Sequence, residues 1–304
     1  FKKSDGLLRE GERSAYEVMK AESKHYPVRL MCKVLELRPS GYYAWLNRPR
    51  SIGKIRSDQE ILTAILKIDK EVDQVYGVPR MTKELRARGF EINHKRVERI
   101  MRENGIQGIP ARKFKITTNS DHKFPVAPNL LNQNFKVDKP NRVWVADITY
   151  ISTGEGWMYL GVVMDLYSRK IVGWSMDKRM ETSLVTNALQ MAIGMRDIKD
   201  GLIHHSDRGS QYASNDYQQA LQEKKIQVSM SKKACCYDNA VVESFFGSLK
   251  QELVYRRRFA TRAAARVAVE DYIEVFYNRI RRHSTLGFLS PANFESLYPA
   301  GNAA

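Results

Sequence analysis

Three acidic residues, far apart in the sequence, lie where folding could bring them together. Asp147 interrupts the apolar run 143–148, Asp207 follows the predicted strand 202–205, and Glu243 lies in the first turns of a predicted helix. A carboxylate inside an apolar strand is costly to bury unless it meets a cation, and the ends of strands in open sheets commonly carry sites. Carboxylate oxygens are preferred ligands of Mg2+. We predict that these side chains bind two Mg2+ ions and are catalytic, an arrangement that supports phosphoryl transfer.

The helix predicted to begin near Asp238 carries two further polar candidates. Asn239, Glu243 and Lys250 are offset by four and seven residues, so they fall within roughly 40° of one another on one helix face. An amide and an ammonium beside a metal carboxylate suit a bound phosphodiester. We therefore predict that Asn239 and Lys250 contact nucleic acid, although a solvated helix residue is the alternative for Lys250.

Several neighbouring residues have two interpretations. Asp165 could replace Asp147 as a ligand or could only cap a turn. His204 and His205 are expected to be structural rather than catalytic. The arginines at 256–258 could bind phosphate or could only end a charged helix. Three tryptophans are interpreted as core aromatics: Trp144, Trp157 and Trp174.

The charge balance favours a polyanionic partner. The chain of 304 residues has a formal net charge of +16, which suits a nucleic acid, an anionic membrane or an acidic protein. Residues 1–140 hold 29 basic and 17 acidic residues, whereas residues 141–304 hold 21 and 17. The basic surplus therefore lies in the first half, and the second half keeps the carboxylates for a metal site.

The cysteine content and the hydropathy of the sequence favour a cytoplasmic location for the protein. The three cysteines, Cys32, Cys235 and Cys236, lack zinc-finger spacing and do not form an even set for a disulfide framework. No stretch approaches the roughly 20 apolar residues of a membrane span, and no signal peptide is visible. We expect a cytoplasmic protein without a membrane partner.

The second half predicts an α/β fold, a mixed sheet flanked by helices. Three strands come first, and later strands are separated by helices, which is typical of such a sheet. Gly154 and Gly156 mark a hairpin turn. The predicted strands are 143–150, 157–165, 170–176, 202–205 and 226–230, and the predicted helices are 181–195, 215–224 and one from about 238.

The first half predicts helices and a helix-turn-helix. Residues 57–60 form a capping box in front of an apolar helical pattern. A helix at 80–88 ends at Gly89, and Asn93 can cap the next helix, which is basic. An ordinary helical pair with a solvated basic face is the alternative. Three residues of this basic helix are predicted DNA contacts: Lys95, Arg96 and Arg99.

The acidic residues stand in sequence motifs that resemble a known family. Asp207 and Glu243 are separated by 35 residues, and Lys250 follows Glu243 by seven. Together they resemble the DDE catalytic core shared by retroviral integrases and many bacterial insertion-sequence transposases. The matching segments are 144–150 around the first Asp, 205–212 around the second, 237–250 around the Glu, and 277–291 near the C-terminus. Segment 26–45 resembles the opening of the second reading frame in two-frame insertion sequences.

The resemblance implies a ribonuclease H-like fold and an activity that depends on Mg2+ or Mn2+. It implies cleavage that forms a 3′-hydroxyl at the element ends, strand transfer by that hydroxyl, and a copy-out, paste-in route. The implied partners are double-stranded DNA, as terminal inverted repeats and as target, and further copies of the chain, at least a dimer on DNA. It implies association with the bacterial nucleoid, and Arg208, in the second-Asp segment, becomes a candidate DNA contact.

These features predict five segments along the chain. They are an N-terminal helical segment at 1–50, a helix-turn-helix domain at 51–108, a basic linker at 109–140, a ribonuclease H-like catalytic domain at 141–260 and a C-terminal helical extension at 261–304. Residues 234–236, Ala-Cys-Cys, depart from the usual Gly-Asn-Cys. A nuclease of the same fold that does not join strands, and a DNA-binding regulator, are the alternative functions.

Overall fold

The computed structural model describes residues 12–47, 52–110, 127–231 and 239–299. The chain forms two compact units, Phe1–Leu62 and Thr63–Ala304. The departure at 234–236 and most of the predicted basic linker lie outside the described residues. The described part of that linker, 127–140, contains neither helix nor strand.

The first unit is helical and has a small aromatic core. Tyr16, Met19, Cys32 and Tyr42 are buried together, and Trp45 packs against them. Its helices are α1 (Glu12–Glu22), α2 (Val28–Val34), α3 (Pro39–Leu46) and the first part of α4 (Ile52–Glu71). Helix α3 starts at Pro39, and proline is favoured at the first helical position.

The predicted capping box at 57–60 is wrong. Helix α4 begins at Ile52, so Ser57 lies more than one turn inside the helix. The residues before Ser57 include only one poor helix former, Gly53, and a single glycine costs about 1 kcal/mol in a helix interior. The long apolar pattern that follows outweighs that cost, and the helix extends upstream of the local signal.

The second unit begins with the helical pair predicted from the basic pattern. Helices α5 (Val78–Ala87) and α6 (His94–Glu103) follow α4. The side chain of Asn93 accepts a hydrogen bond from the backbone N–H of Arg96 at 2.9 Å, which confirms the predicted cap. Apolar side chains on both helices are buried, including Leu85 and Val97, so the basic residues of α6 occupy its remaining surface.

A five-stranded mixed sheet forms the centre of the second unit. Its order is β3-β2-β1-β4-β5, with antiparallel pairing among β1, β2 and β3 and parallel pairing of β1 with β4 and of β4 with β5. The predicted α/β fold class is confirmed. The strands are β1 (Val143–Thr153), β2 (Gly156–Asp165), β3 (Ile171–Asp177), β4 (Ile203–Ser206) and β5 (Gln227–Met230).

Helices cover both faces of this sheet. They are α7 (Thr182–Met195), α8 (Asn215–Glu223), α9 (Ala240–Glu252) and α10 (Arg262–Asp271). A further helix, α11 (Pro291–Leu297), follows near the C-terminus. Along β1, Val143 and Val145 pack in one core with residues of α9 and α10, whereas Trp144 and Ala146 pack in the other core with residues of α7 and α8. Since side chains alternate along a strand, Asp147 faces the side that carries α9.

The C-terminal extension closes the outer edge of the sheet. Helix α10 continues directly into a π-helix, Tyr272–Ile280, a rare form. From it, the side-chain amide of Asn278 donates to the carbonyl of Ile171 and accepts from its N–H, both at 3.0 Å. The side-chain amide makes the two hydrogen bonds that a neighbouring strand would make. The N–H and carbonyl of Ile171 are therefore satisfied at an edge that could otherwise pair with another chain.

No helix in the described part of the chain is both long enough and apolar enough to cross a membrane.

Candidate active site

Asp147 lies where the sheet opens between β1 and β4. The two strands pair only through Val143, Trp144 and Val145, so Asp147 stands just beyond the last parallel pair. On its other side it pairs with Val162 of β2. The carboxylate accepts a hydrogen bond from the N–H of Ile148 at 2.7 Å. Beyond Val145, the β4 side of β1 is therefore not occupied by a paired strand.

Asp207 follows the end of β4 in a tight turn. Its Oδ1 accepts the N–H of Gly209 at 2.8 Å. A Cβ at position 209 would lie 3.0 Å from this oxygen and 3.1 Å from Oε1 of Gln211. Glycine at this position therefore lets the turn close around the carboxylate without a steric clash.

The two aspartates interact strongly. Burial raises the pKa of Asp147 well above its usual value, and the Asp207 carboxylate raises it further. Glu243 adds a weaker effect in the same direction, whereas the ammonium of Lys250 lowers the pKa of Asp147. The four side chains therefore share one electrostatic environment, in which a cation would relieve the repulsion.

The donor set suits a hard divalent cation, although the trio is not fully assembled. Among the described residues, no three His, Cys, Asp or Glu side chains already converge on one ion position. Asp147 and Asp207 are the closely interacting pair, and the pKa of Glu243 is raised by burial alone. All three candidates offer oxygen, which fits Mg2+ or Mn2+.

Lys250 is half-buried and interacts with Asp147, so it is not simply a solvated helix residue. Burial lowers its pKa and the charge of Asp147 raises it. Its Nζ lies 4.7 Å from the ring centroid of Tyr150, within the range of a cation–π contact. Lys250 therefore links the carboxylates to an aromatic side chain that the sequence analysis did not select.

Asn239 is buried at the start of α9. Its Nδ2 donates to the carbonyl of Ala146 at 3.2 Å, one residue before Asp147. Its Oδ1 is buried without a hydrogen-bond partner in the described part of the chain. The predicted direct DNA contact of Asn239 does not match this placement, because its amide faces the protein backbone. It instead ties the helix that carries Glu243 to the strand that carries Asp147.

Tyr212 interacts electrostatically with both aspartates, and the sequence analysis did not select it as a site residue. It is buried, and its hydroxyl has no hydrogen-bond partner among the described residues. Burial raises its pKa well above the usual value, and the charges of Asp147 and then Asp207 contribute. The phenol is therefore protonated and can donate a hydrogen bond near the carboxylates. Its only sequence signal was its place in the second-Asp segment.

The adjacent histidines are structural. His204 and His205 are buried. Nε2 of His204 lies 2.9 Å from the hydroxyl of Tyr217, and Nδ1 of His205 lies 2.8 Å from the hydroxyl of Ser229. Burial lowers the pKa of His204 to about 3, so the ring is neutral at physiological pH and holds β4 to its neighbours.

Asp165 is a turn cap. Its carboxylate accepts the N–H groups of Asn141 at 2.8 Å and Tyr167 at 3.0 Å, and Arg196 lies 3.8 Å away. Burial raises its pKa to about 6. These contacts occupy both of its oxygens, so the structure favours Asp147, and not Asp165, as the site residue of this sheet.

Replacing Asp165 with Ala should therefore lower stability without removing the chemistry. Two backbone N–H groups, one buried and one partly buried, would lose their acceptor, and each fully buried loss costs about 1–3 kcal/mol. We expect a lower midpoint of thermal unfolding, whereas strand transfer per folded molecule at a permissive temperature stays within about threefold of wild type. Circular dichroism and a gel assay measure the two effects. Loss of strand transfer in a fully folded variant would restore Asp165 as a ligand.

The predicted DNA contacts lie in two places. Arg208 follows Asp207, and its Nε donates to the carbonyl of Ser231 at 2.7 Å, which holds the second-Asp turn to the end of β5. Lys95, Arg96 and Arg99 lie on α6, where Lys95 is exposed and Arg99 pairs with Glu103 at 2.9 Å.

Two other predictions about large side chains have mixed outcomes. Trp144 is fully buried as expected, but Trp157 is 50% exposed, so its assignment to the core is wrong. Trp157 lies at the start of β2, beside the hairpin turn. Trp174 is partly buried, and its Nε1 donates to Glu274 at 2.7 Å.

In the arginine run at 256–258, the side chains of Arg256 and Arg257 both contact Asp73.

Comparisons with known proteins match both halves of the chain. A family model described as an HTH-like domain matches residues 56–114, and two models described as integrase core domains match residues 137–236 and 243–297. The transposase InsF for insertion sequence IS3A of Escherichia coli (strain K12) is 44% identical over 282 residues, or 92% of this chain and 98% of that protein. The insertion element IS600 uncharacterized 31 kDa protein of Shigella sonnei is 44% identical over 88% of this chain and 98% of its own length.

The match to solved structures is weaker. A chain of the simian T-cell lymphotropic virus intasome, solved in complex with PP2A regulatory subunit B56 gamma, aligns with 79% of this chain and 76% of its own. The TM-score is 0.46 and the sequence identity is 17%, values too low to add to the sequence matches.

Proposed function

Because this chain belongs to the family of IS3 insertion-sequence transposases, we propose that Asp147, Asp207 and Glu243 form the active site of its DNA transposition reaction. The chain is a transposase with an integrase core and an HTH-like domain. The observation that carries the site assignment is the placement of Asp147 on β1 just beyond its last pair with β4, the strand that Asp207 follows, with Glu243 on α9, which packs in the same core as β1. A nuclease that only hydrolyses DNA is disfavoured, because the relatives named as transposases match nearly the whole chain.

The three carboxylates would hold Mg2+ or Mn2+, two ions per site. When bound, such ions supply positive charge to the attacking and leaving oxygens of a phosphodiester. The protein positions its ligands from three elements, since Asp147 lies on β1, Asp207 after β4 and Glu243 on α9. Asp147 and Asp207 come from neighbouring strands of the sheet, and α9 would provide the third ligand.

Other residues of the chain would bind and orient the DNA. Lys250 would meet a phosphate as a point charge beside Asp147. Asn239 would keep the first turn of α9 against β1, and the Tyr212 hydroxyl, which has no hydrogen-bond partner among the described residues, would donate a hydrogen bond near the aspartates. Each of these residues acts on position or charge, which accounts for most of the catalysis in phosphoryl transfer.

The basic half would recognise and hold duplex DNA. We assign Lys95, Arg96 and Arg99 of α6 to contacts with a DNA groove or backbone, Arg208 to DNA beside the active site, and the segment 109–140 to a basic linker. We also propose the remaining segment bounds given above. They are 1–50 for the N-terminal helical segment, 51–108 for the helix-turn-helix domain, 141–260 for the catalytic domain and 261–304 for the extension. Two element ends require two sites, so at least a dimer would assemble on terminal repeats and target DNA.

A strand-transfer assay tests the proposed reaction. Purified protein is incubated with Mg2+ and labelled duplexes that carry candidate element ends and unlabelled target DNA. We expect labelled products longer than the input strands, and their loss when a chelator removes the metal. Shorter fragments alone, at every DNA end tested, would contradict the proposal and support hydrolysis without joining.

A further inference from the structure

An exposed aromatic pair lies beside the proposed active site. Tyr150 is 44% exposed and Trp157 is 50% exposed, and their ring centroids are 5.0 Å apart with planes at 82°. Tyr150 belongs to β1, three residues beyond Asp147. Nothing in the described part of the chain buries these rings, although burial of aromatic rings contributes strongly to stability. We call Tyr150 and Trp157 the aromatic pair.

The aromatic pair is continuous with the carboxylates. Lys250 places its ammonium 4.7 Å from the Tyr150 ring centroid and also interacts with Asp147. Three residues of strand span roughly 10 Å, which equals about three base steps at 3.4 Å each along one DNA strand. Because side chains alternate along β1, Asp147 and Tyr150 leave opposite faces of the strand. Beyond Val145, β1 has no pairing with β4, and Lys250 contacts Tyr150 from the helix on the Asp147 side. A DNA strand whose phosphate lies at the carboxylates can therefore reach the aromatic pair within a few nucleotides by passing this edge of β1.

The hairpin that carries the aromatic pair is held in place. Arg262, at the start of α10, donates through Nε to the carbonyl of Trp157 at 3.0 Å, and its backbone N–H donates to the carboxylate of Glu155 at 2.8 Å. The guanidinium also donates to the carbonyl of Glu155. A fixed aromatic surface binds a flat ligand with little loss of conformational entropy.

We propose that the aromatic pair stacks an unpaired base of the DNA strand that occupies the active site. Aromatic side chains next to cationic ones are the usual means of binding single-stranded DNA, because every base has a π-face. A paired base inside a duplex is already stacked, so the ligand is a base that has left its pair near the scissile phosphate. The assignment rests on the proposed transposase site, because that site places the DNA strand.

The test uses the full chain and element-end DNA with single 2-aminopurine substitutions at each of the first six nucleotides from the scissile phosphate. Binding is measured without divalent metal, so the signal does not depend on catalysis. We expect one or two probe positions to change fluorescence on binding. Trp157→Leu and Tyr150→Leu should abolish that change and weaken binding of a short single-stranded oligonucleotide by about fivefold or more, the lower bound from base–aromatic stacking.

Matched variants separate stacking from general effects. Tyr150→Phe keeps the ring and should retain the fluorescence change, whereas Tyr255→Leu removes another exposed tyrosine, 64% exposed, and should leave it unaltered. Fluorescence that is the same in wild type and both leucine variants would overturn the stacking proposal, even if strand transfer is normal. Normal stacking with no strand transfer at any metal concentration would instead contradict the proposed function.

Discussion

Replacing Asp207 with Asn should reduce strand transfer by about a thousandfold or more while the protein stays folded. The amide keeps the size of the side chain, and its oxygen can still accept the N–H of Gly209. It removes the negative charge that the metal site requires. Charge stabilisation by a bound metal contributes several kcal/mol to the transition state, and each 1.4 kcal/mol corresponds to about tenfold in rate. The rate of product formation in the labelled strand-transfer assay measures the effect.

Metal binding provides a second readout that does not depend on activity. A ligand at about 100 times its Kd stabilises the folded state by about 2.7 kcal/mol, so Mg2+ should raise the thermal midpoint of wild type and raise that of Asp207→Asn much less. Asp200→Asn, at an exposed position of the same unit, is the matched control and should behave like wild type in both assays. Full metal-dependent strand transfer by Asp207→Asn would remove this residue from the site.

Local patterns were sufficient to predict where the carboxylates lie. Asp147 stands out because an apolar strand surrounds it, and Asp207 because it follows a strand end. Both signals come from within a few residues, and the observed sheet places both residues at the opening between β1 and β4. The position of Glu243 depends on how α9 packs across the sheet, which is a long-range property. The helix itself was predicted from the sequence. The distance between Glu243 and the two aspartates could not be predicted in this way.

The errors of the sequence analysis have the same origin. Trp157 was interpreted as a core aromatic, but it lies beside the hairpin turn and is half exposed, and this exposure depends on how distant elements pack. Asn239 was assigned to DNA because it shares a helix face with Glu243, but its position before the first turn directs its amide to Ala146. The edge contact between Asn278 and Ile171 joins residues 107 positions apart, and no local signal marks it.

A buried ion pair at the end of α9 was equally invisible in the sequence. Glu252 and Arg281 are 7% and 5% exposed. The guanidinium of Arg281 donates to both carboxylate oxygens of Glu252, at 2.6 and 2.7 Å, and the hydroxyl of Tyr272 donates to the same group at 2.7 Å. Arg80 of α5 lies 3.7 Å from it. The pair therefore joins the helix of Glu243 to the π-helix and to the helix-turn-helix region.

Replacing Arg281 with Met should destabilise the second unit by about 3–5 kcal/mol, because it leaves the Glu252 carboxylate buried without its main partner. For a unit of this size the thermal midpoint falls by about 2–4 °C for each kcal/mol. The double variant Glu252→Gln with Arg281→Met should lose less than the sum of the single variants, because neither partner then remains as a buried charge. Chemical denaturation of each variant measures these free energies of unfolding.

The exposed pair Arg179 and Glu181 provides the contrast, since its atoms lie 3.2 Å apart with side chains 69% and 59% exposed. Arg179→Met should change stability by less than about 1 kcal/mol, because water already screens that pair. If Arg281→Met were as mild as Arg179→Met, the pair would not hold α9 in place. A strong loss of stability in Arg281→Met, recovered in part when Glu252→Gln is added, would show that the cost arises from the unpaired charge. It would also support the view that this ion pair positions the C-terminal end of the helix that carries Glu243.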